Sequence, residues 1–352
     1  MKVALLTGSC PQGACGVGDY VALLADALNA IGIEGRMITS GDWRLSHALA
    51  MHRALRAQSF DVVQIHYPSL GFGARLGPQG IALLQNCVVS FHEASQSHPL
   101  RKLALLPFVV RAQHLIFFSS FERDFALSWA PWISGVSSII PPPSNIRKFS
   151  STGPRSLDEI LCFSLIRPGR GHDDILKLAS LIKAAGLGLR IRFVGTPQSE
   201  SFVPYFEALR QQSASLPIVW DSGLSEDEVA RRFASSSIAY LPYPNGASEL
   251  RSTLKTALLN ELAVVTTRGD HTPQSLDGVV RFCATPEEAL STIRFLIDNP
   301  KERAILGDRA GEYVKEWTWE RTASRHAEIY ERLVRAQRQT SGPIVAHCRS
   351  ED

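Results

Sequence analysis

The stretch Thr7-Gly-Ser-Cys-Pro-Gln-Gly-Ala-Cys-Gly-Val-Gly-Asp19 could do its chemistry through backbone groups. It is a glycine-bearing loop between the apolar run Val3 to Leu6 and a helix pattern beginning near Tyr20. Glycine lets backbone come close to a ligand, and a helix start leaves unpaired N–H groups pointing outward. Such a turn can receive an anionic or polar sugar-type ligand. A second turn, Arg167-Pro-Gly-Arg-Gly171, holds the equivalent place in the second half of the chain. Two such turns in two similar halves predict a ligand held between domains.

The elements that must carry these turns read clearly. Val3 to Leu6, Val62 to Ile65, Val88 to Phe91, Leu115 to Phe118 and Ser138 to Ile140 are short apolar runs bounded by turns, as buried parallel strands are. Helix patterns lie between them, at about 20–31, 46–57, 75–85, 100–112 and 121–129. Pro141-Pro-Pro143 then stops regular structure. After the polar segment Ser150 to Asp158 the alternation restarts, with strands at 161–165, 191–194, 218–220, 238–241 and 264–267. Helices are expected near 172–185, 201–213, 226–235, 252–260 and 286–298, and a charged helical segment closes the chain from Asp308 to Arg338. This pattern predicts two doubly wound α/β domains, 1–150 and 151–307, then closing helices over 308–338 and a disordered tail over 339–352. Right-handed crossovers put the loops after the strand C-termini along the facing edges.

Composition agrees with that architecture. A chain of 352 residues is too long for one comfortable core, and 45% apolar with 20% charged residues is ordinary for a soluble protein. A net charge of +3 without a dominant Lys/Arg block disfavours nucleic acid as the main partner. The six cysteines are scattered with no C-x-x-C pair, so neither structural zinc nor a disulfide framework is expected. The apolar run after Lys2 is too short for a signal-peptide core, and no apolar stretch reaches the roughly 18 residues that span a bilayer. The expected location is cytoplasmic, with peripheral contact at the inner membrane face as an alternative.

Four places resemble a known family, the GT-B fold retaining glycosyltransferases of family 4, also called group 1. Gly16-Val-Gly-Asp-Tyr20 resembles its opening loop, and Phe163-Ser-Leu-Ile-Arg-Pro-Gly-Arg-Gly171 with Asp174-Ile-Leu resembles the start of its second domain. Leu241-Pro-Tyr-Pro-Asn-Gly246, running into Leu258 and Val264-Val-Thr-Thr267, resembles the donor-binding strand–loop–helix. Trp319-Glu-Arg-Thr-Ala323 leading to Ile329-Tyr330 is similar to the final crossover helix. The likeness covers residues 1 to about 335, in order. It implies two Rossmann-like domains facing each other across a cleft. It also implies sugar transfer from a UDP- or GDP-linked donor to an acceptor hydroxyl with retained configuration, as in polysaccharide or glycoconjugate synthesis. The donor would sit mainly on the C-terminal domain and the saccharide or lipid-linked acceptor mainly on the N-terminal one. No cofactor is implied, since the nucleotide sugar is a substrate.

The chemistry then needs fixed positive charge and N–H dipoles around a departing diphosphate. The chain contains no Asp-x-Asp motif, so cationic side chains and a helix N-terminus fit better than a metal. Arg170 matches the family's phosphate-binding lysine, and a guanidinium binds phosphate oxygens in a forked geometry. Arg167 is a second candidate; two surface arginines in a loop are the plain alternative. Ser252, Thr253 and Leu254 begin a helix whose free N–H groups suit the diphosphate, an ordinary N-cap being compatible with that. The resemblance places His92 near the reacting sugar and Gly16, Gly18 and Asp19 in the loop meeting donor or acceptor. His66, following another strand, is a candidate to line the acceptor cleft.

The chain departs from the family at the donor helix. Two glutamates usually stand eight positions apart there, and Ser248 and Thr256 occupy those places, with Glu249 displaced by one. Glu249 is the candidate for the catalytic donor-sugar contact and Thr256 for the ribose. Leu165 stands where an arginine is common. The apolar segment His98 to Phe118, with Arg101, Lys102 and Arg111, reads as an internal helix followed by a strand, a membrane-surface helix being the alternative. Two rivals remain open: a catalytically silent nucleotide-sugar-binding protein, and a nicotinamide-dependent oxidoreductase. Gly16-Val-Gly18 lacks the full G-x-G-x-x-G spacing the latter would carry.

Overall fold

The computed structural model describes residues 1–8, 16–92, 95, 103–149 and 153–340. Two α/β units result. The first comprises Met1–Phe117, Phe125–Ile140 and the described residues from Glu320 on; the second comprises Phe118–Asp124 and Pro141–Trp319. The chain thus leaves the first unit at Ile140, ahead of the expected position 150 and directly before the triple proline.

The first unit is built on six strands: β1 (Lys2–Leu6), β2 (Glu34–Ile38), β3 (Val62–Tyr67), β4 (Val88–Phe91), β5 (His114–Phe117) and β6 (Ser137–Ile139). Their order is β2-β1-β3-β4-β5-β6, every pairing parallel. β3, β4 and β5 are buried at every residue, which is why they read as continuous apolar runs. Helices α1 (Gly16–Ala30), α2 (Ala48–Ala57), α3 (Gly77–Leu84), α4 (Leu106–Arg111) and α5 (Ser120–Trp129) connect them. Gly16, Gly18 and Asp19 form the first turn of α1, a correction to the expected helix start near Tyr20. The loop residues 9–15, with Cys10 and Cys15, lie outside the described residues. Residues 98–102 of the apolar segment also lie outside. Its remainder is α4, with Phe108 and Val109 buried, followed by strand β5.

The second unit repeats the plan with β7 (Ser156–Phe163), β8 (Arg190–Val194), β9 (Ile218–Asp221), β10 (Ser236–Leu241), β11 (Ala263–Thr266) and β12 (Arg281–Phe282). The order is β12-β11-β10-β7-β8-β9, again all parallel. Its helices are α6 (His172–Ala184), α7 (Val203–Gln212), α8 (Glu226–Ser235), α9 (Ser252–Leu259), α10 (Pro286–Asp298) and α11 (Pro300–Val314). β7 and β10 are neighbours although distant in sequence, so strand order reverses between them. In a doubly wound sheet the loops after such a pair form the ligand crevice.

The closing helix α12 (Trp319–Thr340) belongs with the first unit after its first residue. It extends past the expected end at Arg338, and residues 341–352 lie outside the described residues. It docks by polar contacts: Tyr330 donates its hydroxyl hydrogen to Gln64 Oε1 on β3, and Arg325 donates to the Ile139 carbonyl at 2.7 Å. Among the described residues no helix is long and apolar enough to cross a membrane.

Candidate active site

In the second unit the turn after β7 and the loop after β10 close on each other. Gly171 caps α6 with φ +78°, a conformation that costs glycine little. A Cβ at that position would stand 2.2 Å from the Pro242 carbonyl oxygen, so only glycine admits the approach. Thr267, just past β11, fixes the β10 loop from the other side. Its hydroxyl donates to the Tyr243 carbonyl at 2.6 Å and lies 2.8 Å from the Tyr243 N–H.

Tyr243 is the centre of the cationic cluster. Its hydroxyl lies 2.7 Å from the Thr253 hydroxyl in the first turn of α9. The Arg251 guanidinium lies over its ring, 5.2 Å from the centroid, a cation–π geometry. Burial pushes the Tyr243 hydroxyl up to about 12, opposed by its bond to Thr253 and by the charges of Arg251 and Arg170. The Arg251 guanidinium and the start of α9 therefore meet at Tyr243, and the charge of Arg170 acts on the same hydroxyl. Arg167 and Arg170 are half-buried in the β7 turn, and the Nε atoms of Arg167 and Arg251 are buried with no hydrogen-bond partner among the described residues. Arg251 is the residue sequence reasoning missed. A cation directly before a Ser-Thr helix start was the signal available.

The two helix N-termini of this unit are not equivalent. The first turn of α6 carries Asp173 and Asp174, which offset its positive end. The first turn of α9 carries no acid, so Ser252, Thr253 and Leu254 keep an uncompensated positive end. An anion is accordingly better placed at α9. His172, below the β7 turn, is structural: Ser164 Oγ and the Tyr205 hydroxyl flank its two ring nitrogens at 3.1 and 3.2 Å.

The carboxyl and hydroxyl positions of this region turn inward. Thr256 is 1% exposed; its hydroxyl donates to the Ser252 carbonyl at 2.9 Å and lies 2.8 Å from the Ser144 hydroxyl. The ribose contact expected of it is not offered in this arrangement. Ser248 is buried. Burial raises the Glu249 pKa, opposed by the Ser120 backbone N–H and by the charge of Lys255. Lys255 is itself 1% exposed, donates to the Pro142 carbonyl, and has its Nζ 4.7 Å from the Trp317 ring centroid. Burial drops its pKa to about 7 despite the nearby Glu249. The charges of Glu249 and Lys255 thus act on each other, which the sequence did not signal.

In the first unit, the histidines come together at the ends of β3 and β4. His66 Nδ1 lies 3.2 Å from His92 Nε2, and the His92 N–H donates to the Tyr67 carbonyl at 2.9 Å. Tyr20, from the second turn of α1, places its ring edge on His92 at 5.4 Å and 78°. His92 is half-buried, while His66 is 0% exposed. Burial drops the His92 pKa to about 3 and holds His66 well below its usual value, with His92 and His326 adding to the latter. Both rings are therefore neutral near pH 7. Complete burial is a correction to His66 as a cleft-lining residue: it lies behind His92. Gly16 is exposed and Gly18 buried, so of these two glycines only Gly16 presents itself at the start of α1.

No family model matches the chain. Among curated proteins it is 26% identical over 137 residues to the sulfoquinovosyl transferase SQD2 of Arabidopsis thaliana, spanning 37% of this chain and 25% of that protein. Among solved structures it is similar to a glycosyltransferase from Rickettsia africae, with TM-score 0.72, 13% identity, and coverage of 95% of this chain and 98% of that one. It is also similar to Anabaena HepE in complex with UDP, with TM-score 0.70, 13% identity and coverage of 94% and 100%. The chain folds as two Rossmann-like parallel-sheet units, and its structural neighbours are GT-B glycosyltransferases.

Proposed function

We propose that this chain is a metal-independent, retaining glycosyltransferase that takes its sugar from a UDP- or GDP-linked donor. The observation carrying this reading is that Arg251 and the acid-free start of α9 meet at Tyr243 and Thr253, with the Arg170 turn locked against the same loop by Gly171, at the strand-order reversal of the second sheet. The neighbour HepE holds UDP, and SQD2 is named as a sugar transferase, which supports a nucleotide sugar as the ligand.

In this mechanism Arg170, Arg167 and Arg251 hold the diphosphate, and the N–H groups of Ser252, Thr253 and Leu254 donate to its oxygens as charge develops there. The bond from the anomeric carbon to the phosphate oxygen breaks as the acceptor oxygen bonds to the same face. The acceptor's proton passes to the departing phosphate oxygen, which balances the step without a protein nucleophile. Glu249, three residues before the start of α9, is the candidate carboxylate on the donor side. The test is a donor panel of UDP- and GDP-sugars with the anomeric configuration of product read by NMR. Inverted product, or binding of NADH in place of any nucleoside diphosphate, overturns the reading.

A second reading has its own observation. Ser248 and Thr256 are neutral and buried, and the Glu249 carboxyl accepts from the Ser120 backbone N–H under the charge of Lys255. A protein that binds nucleotide sugar without turning it over would look the same. Nucleotide binding with no sugar released across the whole panel selects it.

A further inference from the structure

His66 is completely buried, so it meets no substrate; what it meets is His92, at 3.2 Å between Nδ1 and Nε2. The Tyr20 ring edge packs on the same imidazole, so His92 is held from two sides. Burial keeps both rings neutral, and one N–H must therefore lie between them. The other nitrogen of His66 decides its direction. His66 Nε2 is buried with no hydrogen-bond partner among the described residues. An orphaned buried N–H is rarer and costlier than an acceptor lone pair left unused. The His66 proton accordingly belongs on Nδ1, where it has an acceptor.

We propose that His66 is a positioning residue: its Nδ1–H donates to His92 Nε2 and fixes His92 as the Nδ1–H tautomer. The ring hydrogen of His92 then lies on Nδ1, away from His66. The consequence for turnover rests on the role that the family resemblance implies for His92; the tautomer does not.

The experiment is nitrogen-15 NMR of the full chain labelled at histidine, with His92 assigned from the signals lost in His92→Gln. The expected wild-type spectrum has His92 protonated on Nδ1 and bare on Nε2. His66→Leu should move the His92 proton toward Nε2 and lower kcat by at least about tenfold while donor affinity stays within about threefold. His66→Asn, whose amide can still donate, should restore much of the Nδ1–H pattern and of kcat. A wild-type His92 protonated on Nε2 overturns the proposal, as does an unchanged His92 pattern in His66→Leu. If His66→Leu fails to fold, the wild-type spectrum still decides the direction. If wild type turns over no donor at all, the proposed function fails while the spectrum still judges the tautomer.

Discussion

Gly171 approaches Pro242 so closely that a Cβ on the glycine would fall 2.2 Å from the proline carbonyl oxygen. This contact joins the turn that carries Arg167 and Arg170 to the loop that carries Tyr243 and Arg251. The cationic cluster is therefore a property of two loops locked together, not of either alone. Interiors are packed densely enough that a misplaced methyl is transmitted rather than absorbed.

Gly171→Ala and Gly169→Ala form a matched pair. Both glycines have positive φ, +78° and +77°, but a Cβ at Gly169 meets nothing within 4 Å. Gly169→Ala should cost about 1–2 kcal/mol from backbone strain alone. Gly171→Ala should cost more, and it should also weaken UDP binding by at least about tenfold by displacing the β10 loop. Urea unfolding and calorimetry check both. Equal effects of the two variants would mean that the contact with Pro242 does not set the site.

Lys255 makes stability depend on pH in a window that few lysines reach. Its pKa is about 7 in the folded chain against 10.5 when exposed. Between these values the unfolded chain binds more protons, so stability rises with pH, by up to about 1.4 kcal/mol per unit for one proton. Below about pH 7 this contribution is gone, because Lys255 is charged in both states. Glu249 and Tyr313 face the same region, so the comparison is made against Lys255→Met. The stability difference, wild type minus variant, should grow from pH 7 to 9 in urea titrations. A constant difference would contradict the buried, titrating lysine.

His92→Ala should lower turnover by roughly a hundredfold, the scale seen when one group aimed at the reacting centre is removed. Donor affinity and the unfolding midpoint should change little, since His92 is half-buried and bonded to the fold through its backbone. Steady-state kinetics with calorimetric donor binding separates the two. Unchanged turnover removes His92 from the site.

Much of the architecture was legible because parallel strands buried on both faces leave continuous apolar runs, as Val88–Phe91 does. β2 left no such mark: it is an edge strand in which only Gly35 is fully buried. Gly16 and Gly18 read as loop because glycine is a poor helix former, yet their place at a helix start overrides propensity. His66 read as exposed because it ends a strand. The strand that carries it is packed by α12 from some 260 residues away, as the Tyr330–Gln64 contact shows. Lys255 was invisible for the same reason, since a lysine on a short helix is ordinarily solvated and only tertiary packing encloses it. Arg167, Arg170 and the start of α9 stood out as candidates because glycine turns and Ser-Thr helix starts are local signals.

Calorimetric titration of UDP against uridine tests the central claim, a diphosphate held by arginine and amide dipoles on the second unit. The account predicts that Arg170→Ala and Arg251→Ala each lose about 1.5–3 kcal/mol of UDP binding, some ten- to a hundredfold, and leave uridine binding within about twofold. Equal loss for UDP and uridine, or UDP affinity untouched by either substitution, would contradict it.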